Sequence, residues 1–298
     1  MSANILEIHH LTKRFSDFTL DNLNLAVEPG TITGLVGANG AGKSTTIKLI
    51  LNLLRRDAGE IRVFGLDNIR DAAAVRQQIG VVFDEPCFHE ILTPRQVGCY
   101  MRGLYAQWDT EVYTSYLHRF GLPENKKVKE FSRGMKMKLS IAAALSHNPR
   151  LLLLDEPTSG LDPLVRDEIL DEFLAFACDE QHSILISSHI TSDLEKIADY
   201  ITYIHQGRVV LSDSKDAILE HYAKLGCTQA QLREDLLAVL DGCAYVRITH
   251  LPNSKVEAVE TALFTMSGGT DAEIQANRAA IFRALRIPEP KETERHPS

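Results

Sequence analysis

The sequence predicts an α/β protein organised on a parallel sheet, and three observations predict it. The first is Gly37-Ala38-Asn39-Gly40-Ala41-Gly42-Lys43-Ser44-Thr45, which fits the P-loop pattern of a glycine, four residues and Gly-Lys-Ser. The second is the alternation of short apolar runs with helical segments along much of the chain. The third is Leu151-Leu152-Leu153-Leu154-Asp155-Glu156, an apolar strand delivering two carboxylates at the end where open α/β sheets bind ligands.

Taken in order, Ile5 to His9 and Phe18 to Val27 alternate as strands, with Ser16-Asp17 turning between them. Pro29-Gly30 turns into Thr31–Val36, a β-rich run expected to be buried. The P-loop follows, and Thr46–Leu54 reads as the helix leaving it. Asp57-Ala58-Gly59-Glu60 is expected to turn into the strand Ile61–Phe64. Asp71–Gln78 reads as helix and Ile79–Phe83 as a buried strand ending at Asp84-Glu85-Pro86. From Leu92 to His147 the pattern is mostly helical, broken at Gly121-Leu122-Pro123 and near Gly134. This block, residues 86–148, interrupts the alternation and is expected to form its own lobe. Leu151–Leu154, Ser183–Ile186 and Tyr200–Ile204 are further core strands, the last closed by Gln206-Gly207.

Residues 1–220 are therefore expected to be one domain and 221–287 a small α/β extension. In the extension, Thr228–Leu240 and Thr270–Arg286 read as helices and Ala244–Thr249 as a strand. Residues 288–298 have almost nothing to bury and are expected to be disordered.

Composition narrows the class. The chain has 298 residues, 44% hydrophobic and 24% charged, the balance of an ordinary globular protein. Its formal net charge of −8 argues against a dedicated nucleic-acid binder. Five cysteines lie scattered without CxxC spacing, which predicts reduced thiols in a cytosolic protein. The N-terminus lacks signal-peptide architecture, and no run reaches 18 apolar residues, so anything crossing a membrane is expected to be another chain.

The chemistry follows from the residue types. A triphosphate is crowded with negative charge, so its cradle brings backbone N–H groups close, and Gly37, Gly40 and Gly42 remove the Cβ atoms that obstruct this. The next helix points its positive end at the phosphates. Lys43 can reach the β- and γ-phosphates, and Ser44 can give its hydroxyl to Mg²⁺. Asp155, 112 residues beyond Lys43, is placed to hold Mg²⁺ through its water shell, and Glu156 to accept a proton from the attacking water. Phe15, 28 residues before Lys43, is either an adenine-stacking aromatic or a half-buried hairpin side chain. Ser132 is a good N-cap for the helix Met135–Ser146.

Phe131-Ser132-Arg133-Gly134-Met135 stands just ahead of the acidic strand, Ser159-Gly160-Leu161-Asp162 follows Glu156, and Ser187-Ser188-His189 closes a later strand. With the P-loop, these motifs make the chain resemble ATP-binding cassette (ABC) ATPases over roughly residues 4–220. The stretches Val81–Glu85 and Ser132–Lys138 look like those of bacterial single-cassette transporter subunits. The resemblance implies a P-loop NTPase core with an antiparallel β-subdomain and a helical subdomain. It implies ATP and Mg²⁺ as cofactors, with Phe15, Gly37, Asn39, Gly40, Ala41, Gly42, Lys43, Ser44 and Thr45 around the nucleotide. It also implies a head-to-tail dimer, homomeric or heteromeric, in which the signature residues Ser132 and Gly134 meet the nucleotide of the other copy, with Asp162 as a further nucleotide-binding residue. His189 is then the switch histidine that senses the γ-phosphate and joins Lys43 and Glu156 in catalysis.

Three positions depart from the family pattern. Asp84 stands where the family has glutamine, as a third candidate metal contact beside Ser44 and Asp155. Arg133 and Met135 replace a glycine and a glutamine. The expected function is the ATP-hydrolysing subunit of an ABC transporter, peripheral on the inner face of the cell membrane. Separate transmembrane permease subunits would dock near Phe88, Tyr100, Tyr105 and Trp108. The rival readings are a soluble ABC ATPase remodelling a ribosomal or nucleic-acid complex, and a weakly hydrolysing regulatory module.

Overall fold

The structure, a computed structural model, describes residues 4–85, 88–228, 246–249 and 259–265. It divides into two units, Met1–Lys215 and Asp216–Ser298.

In the first unit, β1 (Leu6–Arg14), β2 (Thr19–Val27), β4 (Ala58–Val63) and β5 (Leu66–Asp67) form an antiparallel sheet in the order β2-β1-β4-β5. The main sheet has the order β10-β9-β3-β8-β7-β6, from β3 (Ile32–Val36), β6 (Ile79–Val82), β7 (Leu151–Asp155), β8 (Ser183–Ser188), β9 (Tyr200–His205) and β10 (Arg208–Ser214). Its strands run parallel except for the β9–β10 hairpin.

Strict alternation builds two cores on the two faces of this sheet. Leu152 and Leu154 of β7, with Ile184 and Ile186 of β8, face the helical side. Leu151, Leu153 and Leu185 face the antiparallel sheet and α1 (Lys43–Ile50). Strands buried on both faces read as unbroken apolar runs, which is why these were visible in the sequence.

Four helices start on a side chain suited to the task. In α3 (Pro94–Leu104), Thr93 and Gln96 form a reciprocal capping box with Pro94 in the first turn. The Asp109 carboxylate caps α4 (Thr110–Arg119), Ser132 caps α5 (Arg133–Leu145), and Asp162 with Pro163 opens α6 (Pro163–Ala177). This unit also contains the short α2 (Ala72–Arg76) and α7 (Thr191–Ile197) and a 3-10 turn at Val128–Glu130.

Several boundaries differ from expectation for local reasons. Strand β1 runs on to Arg14, because a bulge near His10 (φ +51°) breaks its alternation. Ala58-Gly59-Glu60 is strand rather than turn. Gly59 lies at φ +90°, and a Cβ there would sit 2.5 Å from the His10 carbonyl, so glycine permits the strands to close. The turn comes later, at Phe64 and Gly65, both with positive φ. Helix α1 begins at Lys43 itself and stops early, with Asn52 at φ +54°. Tyr105 stacks on buried His147 at 3.8 Å, and half-buried Trp108 packs against the lobe's core 5.0 Å from Tyr113. These two aromatics, expected on a docking surface, serve the interior; the large exposed apolar side chains among the described residues of this lobe are Ile91, Tyr100, Leu104 and Val112.

The second unit contains an antiparallel sheet in the order β11-β13-β12, from β11 (Tyr222–Thr228), β12 (Val246–Thr249) and β13 (Val259–Thr265). Tyr222 pairs with Thr265 and Thr228 with Val259. The last helix among the described residues, α8 (Lys215–His221), begins at the division between the units. Thr228, expected to begin a helix, instead ends β11. The rest of that expected helix, the helix at 270–286 and the tail at 288–298 lie outside the described residues.

Candidate functional site

Strand order alone brings the motifs together. β3, β8 and β7 are neighbours, with Val36 opposite Ser188 and Asp155 opposite Ser187. The residues that follow, Gly37, Glu156 and His189, therefore emerge side by side at the C-terminal edge of the sheet, where α/β ligand sites lie.

The P-loop is packed from below by backbone. A Cβ on Gly37 would lie 2.5 Å from the Ile204 carbonyl, so the loop lies directly against the end of β9. Gly42, at φ +116°, forms the N-cap of α1 without any side-chain cap. The first helical amides thus remain available to a ligand. Asn39 and Gly40 are exposed at the loop tip, and nothing lies within 4 Å of a Cβ built on Gly40. Ala41 is buried and Thr45 half-buried. Phe18 and Leu20 press against Gly42, so the β1–β2 hairpin abuts the loop. Phe15, on that hairpin, is 42% exposed, with its ring 6.2 Å from Phe18 and Lys13 above it at 5.7 Å. It is the exposed one of the two rings.

Two polar clusters stand on this floor. In the first, Lys43 Nζ donates to the carbonyl of Gly37 at 2.7 Å and stands 3.1 Å from Glu156 Oε1. That second contact has ion-pair distance without hydrogen-bond alignment, leaving Oε1 an acceptor without a donor. Glu156 Oε2 meets His189 Nδ1 at 2.6 Å and accepts from the His189 amide at 3.3 Å. Lys43 is 5% and Glu156 13% exposed at the side chain, so their charges act with little screening by water. In the second cluster, Ser44 Oγ donates to Asp155 Oδ1 at 2.9 Å and Ser187 Oγ donates to the same oxygen at 2.7 Å.

Ser187 joins the site through strand register, which no local motif encodes. The run Ser187-Ser188-His189 was visible, but only strand register places the first serine beside Asp155.

The remaining expected residues sit around this centre. Ser132 Oγ accepts from the Met135 amide at 3.2 Å, and Asp162 Oδ1 accepts from Val165 N at 3.2 Å, so both begin helices. Gly134 packs against α6, where a Cβ would lie 3.2 Å from Val165. Among the described residues, no hydrogen bond or ion pair joins Ser132 or Asp162 to the P-loop of this chain. Asp84, the third candidate metal contact, pairs here with Arg133, and the Arg133 guanidinium also lies over Gly160. Two of the three departures from the family pattern thus form one ion pair, between side chains about half exposed.

Comparison with known proteins agrees with this geometry. A family model described as ABC transporter matches residues 20–159. The chain is 37% identical over 214 residues to the bacitracin transport ATP-binding protein BcrA of Bacillus licheniformis, covering 70% of this chain and 69% of that one. It is 29% identical over 259 residues to the ABC transporter ATP-binding protein YtrB of Bacillus subtilis, covering 85% of this chain and 88% of that one. Among solved structures, an ATP-binding subunit of an ABC transporter superposes with a TM-score of 0.65 at 30% identity, over 72% of this chain and 92% of that one. The chain belongs to the ATP-binding subunits of ABC transporters.

Proposed function

We propose that this chain hydrolyses ATP at a site formed by residues 37–45, Asp155, Glu156 and His189, and drives separate membrane-spanning permease chains with that energy. The observation that carries the reading is the Lys43–Glu156–His189 cluster, set beside Ser44 and Asp155 at the C-terminal edge of the parallel sheet.

The residues present fit ATP and Mg²⁺. The uncapped start of α1 offers amides to phosphate, and Ser44 and Asp155 are hard oxygen donors of the kind Mg²⁺ prefers. Among the described residues no group of three or more His, Cys, Asp or Glu side chains could hold a metal, so most ligands of a metal here come from phosphate and water. When bound, Mg²⁺ neutralises charge on the β- and γ-phosphate oxygens.

The roles of the side chains follow. Lys43 exchanges Glu156 for phosphate oxygens and stabilises the charge that develops on them. Glu156, freed of Lys43, offers Oε1 to the attacking water and takes its proton. His189 keeps Glu156 oriented through Nδ1 and has Nε2 left for the γ-phosphate. Phe15 stacks on the adenine. Ser132, Gly134 and Asp162 are assigned to the nucleotide of a second cassette, in a homodimer or heterodimer, since among the described residues no hydrogen bond or ion pair ties Ser132 or Asp162 to the P-loop of their own chain.

No helix among the described residues is long and apolar enough to cross a membrane. We assign the crossing to partner chains and place this subunit on the cytoplasmic face, with Ile91, Tyr100 and Leu104 as apolar contacts. The similarity to YtrB covers more of the chain than Met1–Lys215, so part of the second unit belongs to a shared extension. The test is Lys43→Ala in protein shown free of other ATPases. Loss of hydrolysis with weakened nucleotide binding is expected, and normal turnover refutes the site.

A further inference from the structure

We propose that Ser187 is a positioning residue for hydrolysis, its one hydroxyl fixing both carboxylate-bearing residues of the site; this deepens the reading of Asp155 and Glu156 given above. Ser187 is fully buried, in a strand whose neighbours Ile184, Leu185 and Ile186 fill the two cores. Packing alone gives no reason for a hydroxyl there.

Strand register sets Ser187 directly opposite Asp155. Its Oγ donates to Asp155 Oδ1 at 2.7 Å and accepts from the Glu156 amide at 3.1 Å. A hydroxyl has one proton and two lone pairs, so both bonds form at once. The same amide also reaches the Ser187 carbonyl at 3.1 Å, so residue 187 meets it with two acceptors. Fixing this amide matters because Glu156 stands at φ +51°, in the left-handed region that a side-chain-bearing residue adopts only when its surroundings impose it. The turn at Glu156 aims its carboxylate at Lys43 and His189.

Asp155 Oδ1 receives a second hydroxyl, from Ser44 at 2.9 Å. On the proposed reading Ser44 turns to the metal when nucleotide binds. Ser187 is then the donor that keeps this oxygen in place. Its role is to orient: it touches no phosphate and moves no proton.

The test uses the full chain carrying Ser187→Ala, which removes one oxygen and adds no bulk. Three readouts are compared with wild type: binding of a fluorescent ATP analogue with and without Mg²⁺, kcat and KM for ATP, and urea unfolding followed at Trp108. A lost hydrogen bond to a buried carboxylate predicts that kcat falls about 10- to 100-fold, and that the Mg²⁺ concentration for half-maximal binding rises about tenfold. Metal-free affinity and KM should stay within about threefold. A Mg²⁺ requirement and kcat within about twofold of wild type overturn the proposal, as does lost stability with unchanged Mg²⁺ dependence. Glu156→Gln measured alongside separates the two readings. Wild-type turnover there removes the role of Glu156, while the Mg²⁺ requirement of Ser187→Ala still reports on Asp155.

Discussion

Replacing Asp193 with alanine should destabilise the first unit by about 3 kcal/mol. Asp193 is 2% exposed and lies on α7, just beyond His189. Its Oδ2 accepts from the hydroxyl of buried Thr158 at 2.6 Å, two residues after Glu156. Its Oδ1 pairs with Arg166 of α6, which also donates to Ser192 Oγ at 2.9 Å. Removing one partner of a buried ion pair costs about 3–5 kcal/mol, because the other charge is left without compensation. Here Arg166 retains 26% side-chain exposure and can turn partly to water, which places the cost at the lower end. Thr158 cannot turn away and loses its acceptor. For a unit of this size about 1 kcal/mol shifts Tm by roughly 2–4 °C, so a drop of about 6–12 °C is expected. Trp108 is the only tryptophan of the chain and lies in the first unit, so its fluorescence in urea follows that unit alone. A loss below about 1 kcal/mol would refute the view that Asp193 is a buried junction between the Glu156 turn and α6.

Two further predictions follow from single side chains. Burial holds the His147 imidazole below its ordinary pKa, opposed by its hydrogen bond to the Ile79 carbonyl. A depressed folded-state value means that the unfolded chain binds more protons. This contribution is therefore present above about pH 6.5 and is lost as pH falls towards the folded value. His147→Gln should flatten stability against pH between about 7 and 5, relative to wild type, in urea titrations; an unchanged slope would count against it. Ser132→Arg should lose a helix cap worth about 1 kcal/mol and leave ATP binding by the isolated chain nearly intact. It should also abolish ATP-driven dimerisation in size-exclusion chromatography, and persistence of the dimer would place Ser132 away from the interface.

What was legible in the sequence and what was not divides along physical lines. The central strands showed themselves because both faces are buried, so Leu151–Leu154 and Ser183–Ile186 read as continuous apolar runs. Edge strand β10 has charge and hydroxyls along Arg208–Ser214, packs on one side only, and left no such signature. The short β5 and the strands β11 and β13 of the second unit also escaped notice. The P-loop, the acidic strand end and the Ser132 cap were legible because their chemistry is written in consecutive residues. Ser187 and the Asp84–Arg133 pair were not, since each depends on segments distant in sequence meeting in space. The cluster of Lys43, Glu156 and His189 lies between these cases: each residue was predicted singly, while their joint contact required the strand order.

The central claim is that Glu156 activates the water that attacks ATP held by this P-loop. Glu156→Gln keeps the size of the side chain and removes its capacity to take a proton. The most direct test measures ATP binding and hydrolysis in the same preparation of this variant. The account predicts affinity within about threefold of wild type, hydrolysis slowed by about 10²–10⁴-fold, and accumulation of an ATP-bound dimer. Hydrolysis at the wild-type rate would contradict it.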